Sequence, residues 1–129
     1  MIDKMNLNYF TLEEANALLP VIEPLMAELV KRRSYVVNLA KEVGPALQDM
    51  RSNVGGPRFA ELTQEFAAIE RLISSIQAHG CVIKDINVGL VDFLANRNGR
   101  DVYLCWRYGE TAVTHYHDLH TGFNDRRLA

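Results

Sequence analysis

A chain of 129 residues, 48% hydrophobic and 23% charged, has the size and polarity of one globular domain spanning 1–129 and is too short for two. Its formal net charge of −2 argues against a broad basic footprint for nucleic acid or anionic lipid, and the basic runs Lys31-Arg32-Arg33 and Arg126-Arg127 are short enough to be solvated charge. The start M-I-D-K-M-N-L-N-Y-F lacks a secretory pattern, and Pro20, Glu23, Pro24 and Glu28 break the longest apolar stretch, so a soluble, cytoplasmic protein with no membrane partner is expected.

Thr11-Leu12-Glu13-Glu14 reads as a capping box, with Thr11 as N-cap and Phe10 placed to staple onto Ala15. From there Leu12, Ala15, Leu19, Ile22, Met26, Leu29, Val36, Ala40 and Val43 step by three and four in one phase, interrupted only by Arg33. This is a coiled-coil-like heptad seam. Pro20 and Pro24 each remove a backbone donor, so the spacing predicts a kink near Leu19 to Glu23, and Gly44-Pro45 is expected to end the helix. Loop chemistry follows in R-S-N-V-G-G-P, Arg51 to Pro57. A second seam, Phe59, Leu62, Phe66, Ile69, Ile73 and Ile76, leads to Gly80 as the residue that stops it. The two seams imply an antiparallel helical hairpin over 11–80. Leu18, Leu25, Val30 and Val37, together with Ala60, Ala67 and Leu72, lie off the seams and call for another partner surface, which predicts a homodimer through the helices.

After Gly80 the period changes to two. Asn98-Gly99 is a strong type I′ hairpin signal, and counting outward from it sets Val91, Phe93 and Ala95 opposite Trp106, Leu104 and Val102 on an apolar face. The other face sets Asp92 opposite Cys105, Leu90 opposite Arg107 and Leu94 opposite Tyr103. With a third strand from about Val113 to His117, the expected fold is α+β: a long kinked helical hairpin carrying an antiparallel sheet of about three strands over 81–129.

The run T-H-Y-H-D-L-H at 114–120 holds three of the four histidines. Histidines two apart on a strand share a face, near enough to ligate one metal. A two-residue turn at Gly109-Glu110 would put Val113, His115 and His117 on the apolar face. A three-residue loop would instead set His115 opposite Cys105 and His117 opposite Tyr103, with Tyr116 inward. A bulge would satisfy both Val113 and Tyr116 and leave His117 on the polar face. Candidate metal ligands are therefore His115, His117, Asp118 and His120, with Asp92 as a further carboxylate. A ligand site on the polar face would use Asp92, Tyr103, Cys105, Arg107 and Arg126. Cys105 and Glu110 are the candidates for catalysis. Cys105 faces a carboxylate and lies next but one to a guanidinium, opposed influences on a thiol. Glu110 and Arg126 are suited either to tie down the tail or to line the site, and Phe123 to anchor the tail. The two cysteines, Cys81 and Cys105, are expected to be thiols.

F-T-L-E-E-A-N-A-L-L-P at Phe10 to Pro20, K-D at Lys84-Asp85, G-L-V-D-F at Gly89 to Phe93, V-Y-L-C-W-R at Val102 to Arg107, G-E at Gly109-Glu110 and G-F-x-x-R at Gly122 to Arg126 together resemble a bacterial family catalogued as a domain of unknown function. The resemblance spans nearly the whole chain and implies no activity, substrate or catalytic residue. The family pattern has Trp-His at Tyr116-His117 and Arg-Gln-Pro-Leu at the closing Arg126 to Ala129, with no regular histidine at His115 or His120. A three-histidine site would thus be peculiar to this member.

The functional expectation is a homo-oligomeric binding or regulatory module with a polar ligand site on the sheet. The alternative is a metal-dependent enzyme with His115, His117 and Asp92 or Asp118 as ligands and Glu110 as general base. No cofactor is expected unless the histidines ligate a divalent metal, zinc, iron or manganese.

Overall fold

In a computed structural model, the described residues are 8–48 and 56–129. They form two helices, α1 (Leu12–Gln48) and α2 (Pro57–Gln77), and five strands: β1 (Val82–Asp85), β2 (Leu90–Arg97), β3 (Arg100–Arg107), β4 (His115–Asp118) and β5 (Arg127–Leu128). A 3-10 turn at Phe123–Asp125 precedes β5. No helix among the described residues is long and apolar enough to cross a membrane.

The start of α1 follows the capping box. Thr11 Oγ1 accepts from the Glu14 N–H at 3.0 Å while the Thr11 N–H donates to Glu14 Oε1 at 2.8 Å. The helix then continues without a break through Pro20, Pro24, Gly44 and Pro45. Both Pro20 and Pro24 are exposed, so the carbonyls they leave without a helical donor lie toward water rather than core. The helix end expected at Gly44-Pro45 is corrected to Gln48. The burial seam is Ala15, Leu19, Ile22, Met26, Leu29, Val36, Leu39 and Val43. It passes from Ala40, which is exposed, to Leu39, because a 3.5-residue repeat drifts around a helix of 3.6 residues per turn and the larger side chain takes the buried place. On α2, Ala68, Ile69 and Ile76 are buried. Arg32 of α1 bonds Glu65 of α2 at 3.0 Å, Tyr35 bonds Glu61, and Glu42 pairs with Arg58 at 3.4 Å. Each step along α1 thus meets an earlier residue of α2. Most of the loop expected from Arg51 to Pro57 falls outside the described residues.

The sheet is antiparallel in the order β1-β2-β3-β4-β5. Its strands number five rather than about three. The two missed are V-I-K-D, too short to establish an alternation, and Arg127–Leu128, with no periodicity to read. The β2–β3 hairpin has the register counted outward from Asn98-Gly99, down to Leu90 against Arg107. Asn98 and Gly99 both have positive φ, 54° and 83°. Gly99→Val is expected to lower stability by about 1–2 kcal/mol through strain alone, since no heavy atom lies within 4 Å of its missing Cβ. Gly89→Ala should cost more, because φ is +75° and the added Cβ would sit 2.6 Å from Tyr108 Cβ. Urea denaturation of the two variants tests the order.

The inner face of the sheet carries Val91, Phe93, Ala95, Val102, Leu104 and Trp106 into one cluster with Ala15, Leu19, Ile22, Met26 and Leu29 of α1. Phe10 completes it, edge-on to Phe93 at 5.2 Å between ring centres. Val113 and Tyr116 both point into this core. The expected bulge is replaced by another device. Asn16 of α1 accepts from the Val113 N–H at 2.7 Å and donates to the Val113 carbonyl at 3.1 Å, serving as its ladder partner before β4 begins. Tyr116 then pairs with Leu104, His115 with Cys105 and His117 with Tyr103.

Candidate functional site

Alternation along β2, β3 and β4 sends Asp92, Cys105 and His117 to the sheet face opposite the main core. An antiparallel face turned away from the core is usually solvated. Here Asp92 and Cys105 are 2% exposed and His117 is 5% exposed. The C-terminal segment supplies the cover. Thr121, Gly122 and Phe123, together with Lys84 and Leu90, line a partly open cavity of about 130 Å³ beside the three side chains. The segment is fastened by a fork: Arg126 donates through both terminal nitrogens to the Glu110 carboxylate, one bond measuring 3.1 Å, while Glu110 Oε1 also accepts from the Arg107 N–H at 2.8 Å. The Arg126 guanidinium lies 3.9 Å over the Phe123 ring and that of Arg107 lies 5.6 Å from it.

The geometry of the buried pair assigns a partner to each ring nitrogen of His117. His117 Nδ1 lies 2.8 Å from the Asp118 backbone oxygen, which can only accept, so Nδ1 carries a hydrogen. His117 Nε2 lies 3.0 Å from Asp92 Oδ2. A neutral imidazole and an ionised carboxylate would there present two lone pairs to each other. A proton, or another cation, must lie between them. Burial raises the Asp92 pKa, opposed by His117, Lys84 and Cys105 in turn.

Cys105 faces the same carboxylate. Burial, reinforced by the Asp92 charge and opposed by Arg126, pushes its thiol up to about 12. A thiol held so high is no nucleophile at neutral pH. Cys81, in the main core, is raised to about 11 by burial. Native protein at neutral pH should therefore label with thiol reagents far more slowly than a free thiol at either position, and rapid labelling of Cys105 would contradict the burial argument. Glu110 has the opposite balance: burial raises it, but the Arg126 and Arg107 contacts outweigh that and hold it below its ordinary range.

The other residues singled out from sequence divide into two groups. Tyr103 stands beside the site, its ring centre 5.7 Å from that of His117, with Lys84 Nζ 4.4 Å over it. His115 is on the same face opposite Cys105, its Nδ1 2.8 Å from Thr114 Oγ1, but it is not among the three clustered ligand atoms. Asp118 turns away to pair with Arg100 at 3.0 Å, and His120 is exposed beyond the strand. The histidine-rich run therefore does not converge; only His117 joins Asp92 and Cys105. Lys84, Thr121 and Gly122 were not picked out as site residues. The register count could have reached Lys84 had β1 been recognised, whereas the closing turn of the tail carries no periodic signal.

Fold and site together define an α+β protein, two helices against an antiparallel meander, with a small buried Asp-His-Cys site under its C-terminal segment. The chain belongs to the family described as "Uncharacterized conserved protein (DUF2203)", whose profile matches residues 8–129. Neither the curated proteins nor the solved structures include a significant match.

Proposed function

We propose that the protein is a soluble, cytoplasmic, single-domain binding module whose ligand site is the tail-covered cavity on the outer sheet face. The observation that carries this reading is the burial of Asp92, Cys105 and His117 against that cavity, on a face the main core does not need. Burying an ionisable pair there costs desolvation that apolar residues would avoid. A volume of about 130 Å³ suits an ion with a few waters or a very small molecule, at roughly 30 Å³ per water. Untagged protein should gain thermal stability from at least one member of a panel of divalent cations and small organic and inorganic anions. Saturation at a hundred times Kd would add about 2.7 kcal/mol. A panel that leaves unfolding unchanged throughout would sink the reading. The metal-dependent enzyme remains the second reading, favoured by the same three side chains. Its intended base, Glu110, is engaged by Arg126, which is why binding is preferred.

The two helices are further proposed to act as an antiparallel hairpin that pairs with a second copy. Phe59 and Phe66, seven residues apart on α2, are 37% and 50% exposed, and Tyr35 on α1, bonded to Glu61 of α2, is exposed as well. Packing against another copy would cover these rings. Light scattering is expected to give about twice the chain mass of 14.6 kDa, and Phe66→Lys to halve that value while the far-ultraviolet circular dichroism is retained. A monomeric wild type would refute the pairing.

A further inference from the structure

We infer that Asp92, Cys105 and His117 form a binding site for a borderline-soft divalent transition metal of the zinc class, held by Oδ2, Sγ and Nε2. The inference rests on the proposed binding reading and names its ligand. Four observations support it. The three side chains each offer a ligand atom within 4.8 Å of the other two, and all three are buried. Zinc bonds of about 2.0–2.3 Å in a tetrahedron separate ligand atoms by roughly 3.3–3.8 Å, so only modest side-chain adjustment closes the set.

The imidazole is already oriented. Its Nδ1–H donates to the Asp118 carbonyl at 2.8 Å, which leaves the Nε2 lone pair aimed at the carboxylate. That outer hydrogen bond is the device by which a metal-binding histidine is fixed in tautomer and direction. The cation that must lie between Nε2 and Oδ2 is a proton in the metal-free protein, and a metal ion can replace it.

Charge and space are also suitable. Cys105 as thiolate and Asp92 as carboxylate supply two negative charges to a divalent ion. Of the neighbouring cations, Arg126 pairs with Glu110 and also favours the Cys105 thiolate, and Lys84 lies over the Tyr103 ring, where it favours the Asp92 carboxylate. Coordination releases two protons to solvent, one from the Cys105 thiol and one shared by His117 and Asp92. The cavity of about 130 Å³ adjoins the three ligands and leaves the fourth tetrahedral position to water or a small exogenous group. A mixed nitrogen, sulfur and oxygen set favours zinc over magnesium or calcium, which take oxygen ligands.

The test uses full-length, untagged, reduced protein, stripped with chelator and titrated with cobalt(II) and then zinc. One cobalt per chain should bind with a thiolate-to-cobalt charge-transfer band in the near ultraviolet, and zinc should abolish it. Cys105→Ser should remove that band, and His117→Gln and Asp92→Asn should each weaken binding at least tenfold, with folding of every variant checked by circular dichroism. His120→Ala should change neither stoichiometry nor band. The wild-type band keeps the test decisive should a variant fail to fold. No band in the wild type, or binding that survives all three substitutions, overturns the metal inference. If another member of the ligand panel still stabilises the protein in that event, the binding reading stands without the metal; if none does, both fall.

Discussion

Asp92→Ala is expected to destabilise the metal-free protein by about 3–5 kcal/mol, the cost of removing one partner from a buried ionisable pair. The reason is specific to His117. Its Nδ1 is occupied by the Asp118 carbonyl, so Nε2 would lose its hydrogen-bond partner within a site almost closed to water. Replacing both members by apolar residues of similar volume, Asp92→Leu with His117→Leu, should recover much of the loss, because it removes the stranded group along with the pair. Urea denaturation of the single and double variants forms the cycle. If Asp92→Ala costs no more than an exposed substitution, the pair is not isolated from solvent and the argument for a closed site is wrong.

A pH dependence of opposite origin is expected at the tail. The folded protein holds Glu110 below its ordinary value of 4.5, so it binds that proton less readily than the unfolded chain does. The contribution of the Glu110–Arg126 fork is therefore present above that ordinary value and is lost as pH falls through the lowered one. Glu110→Gln should flatten the acid side of the stability profile. It should also speed amide exchange in 119–128, which the fork ties to the sheet, while β2 and β3 stay protected.

The β-hairpin was legible because one dipeptide sets its turn and every cross-strand neighbour follows by counting. Asp92 opposite Cys105 came directly from that count. Their burial did not, because it depends on the segment at Thr121 to Phe123, far along the chain from Asp92, that folds back over the face and has no repeating pattern. The histidines misled for a related reason. Spacing of two guarantees a shared strand face for His115 and His117, but β4 ends at Asp118, and the turn beyond it carries His120 away. The helical seams were legible until small and large apolar residues competed for one position, as at Leu39 and Ala40. Phe59 and Phe66 show a further limit: periodicity identifies an apolar stripe, but not whether the same chain covers it.

Asn16→Leu is expected to cost about 2–6 kcal/mol, from leaving the Val113 N–H and carbonyl without partners at about 1–3 kcal/mol each. In the sequence Asn16 was one polar position inside an amphipathic helix, with nothing to mark it. In the fold, its side-chain amide matches a peptide group edge to edge: Oδ1 takes the Val113 N–H, Nδ2 serves the Val113 carbonyl, and the same Nδ2 reaches the Leu12 carbonyl at 3.1 Å. A leucine can fill the space but offers neither a donor nor an acceptor. Asn16 thereby holds Val113 in the core just before the ladder starts, which lets Tyr116 follow it inward and His117 turn outward to Asp92. The substitution should consequently act at two places. Amide exchange at Val113 should rise first, with β2 and β3 still protected, and cobalt binding at Asp92, Cys105 and His117 should weaken although no ligand has been altered. Loss of stability with unchanged cobalt affinity would show that β4 keeps its register without the clamp, leaving the Tyr116–Leu104 pairing to set it.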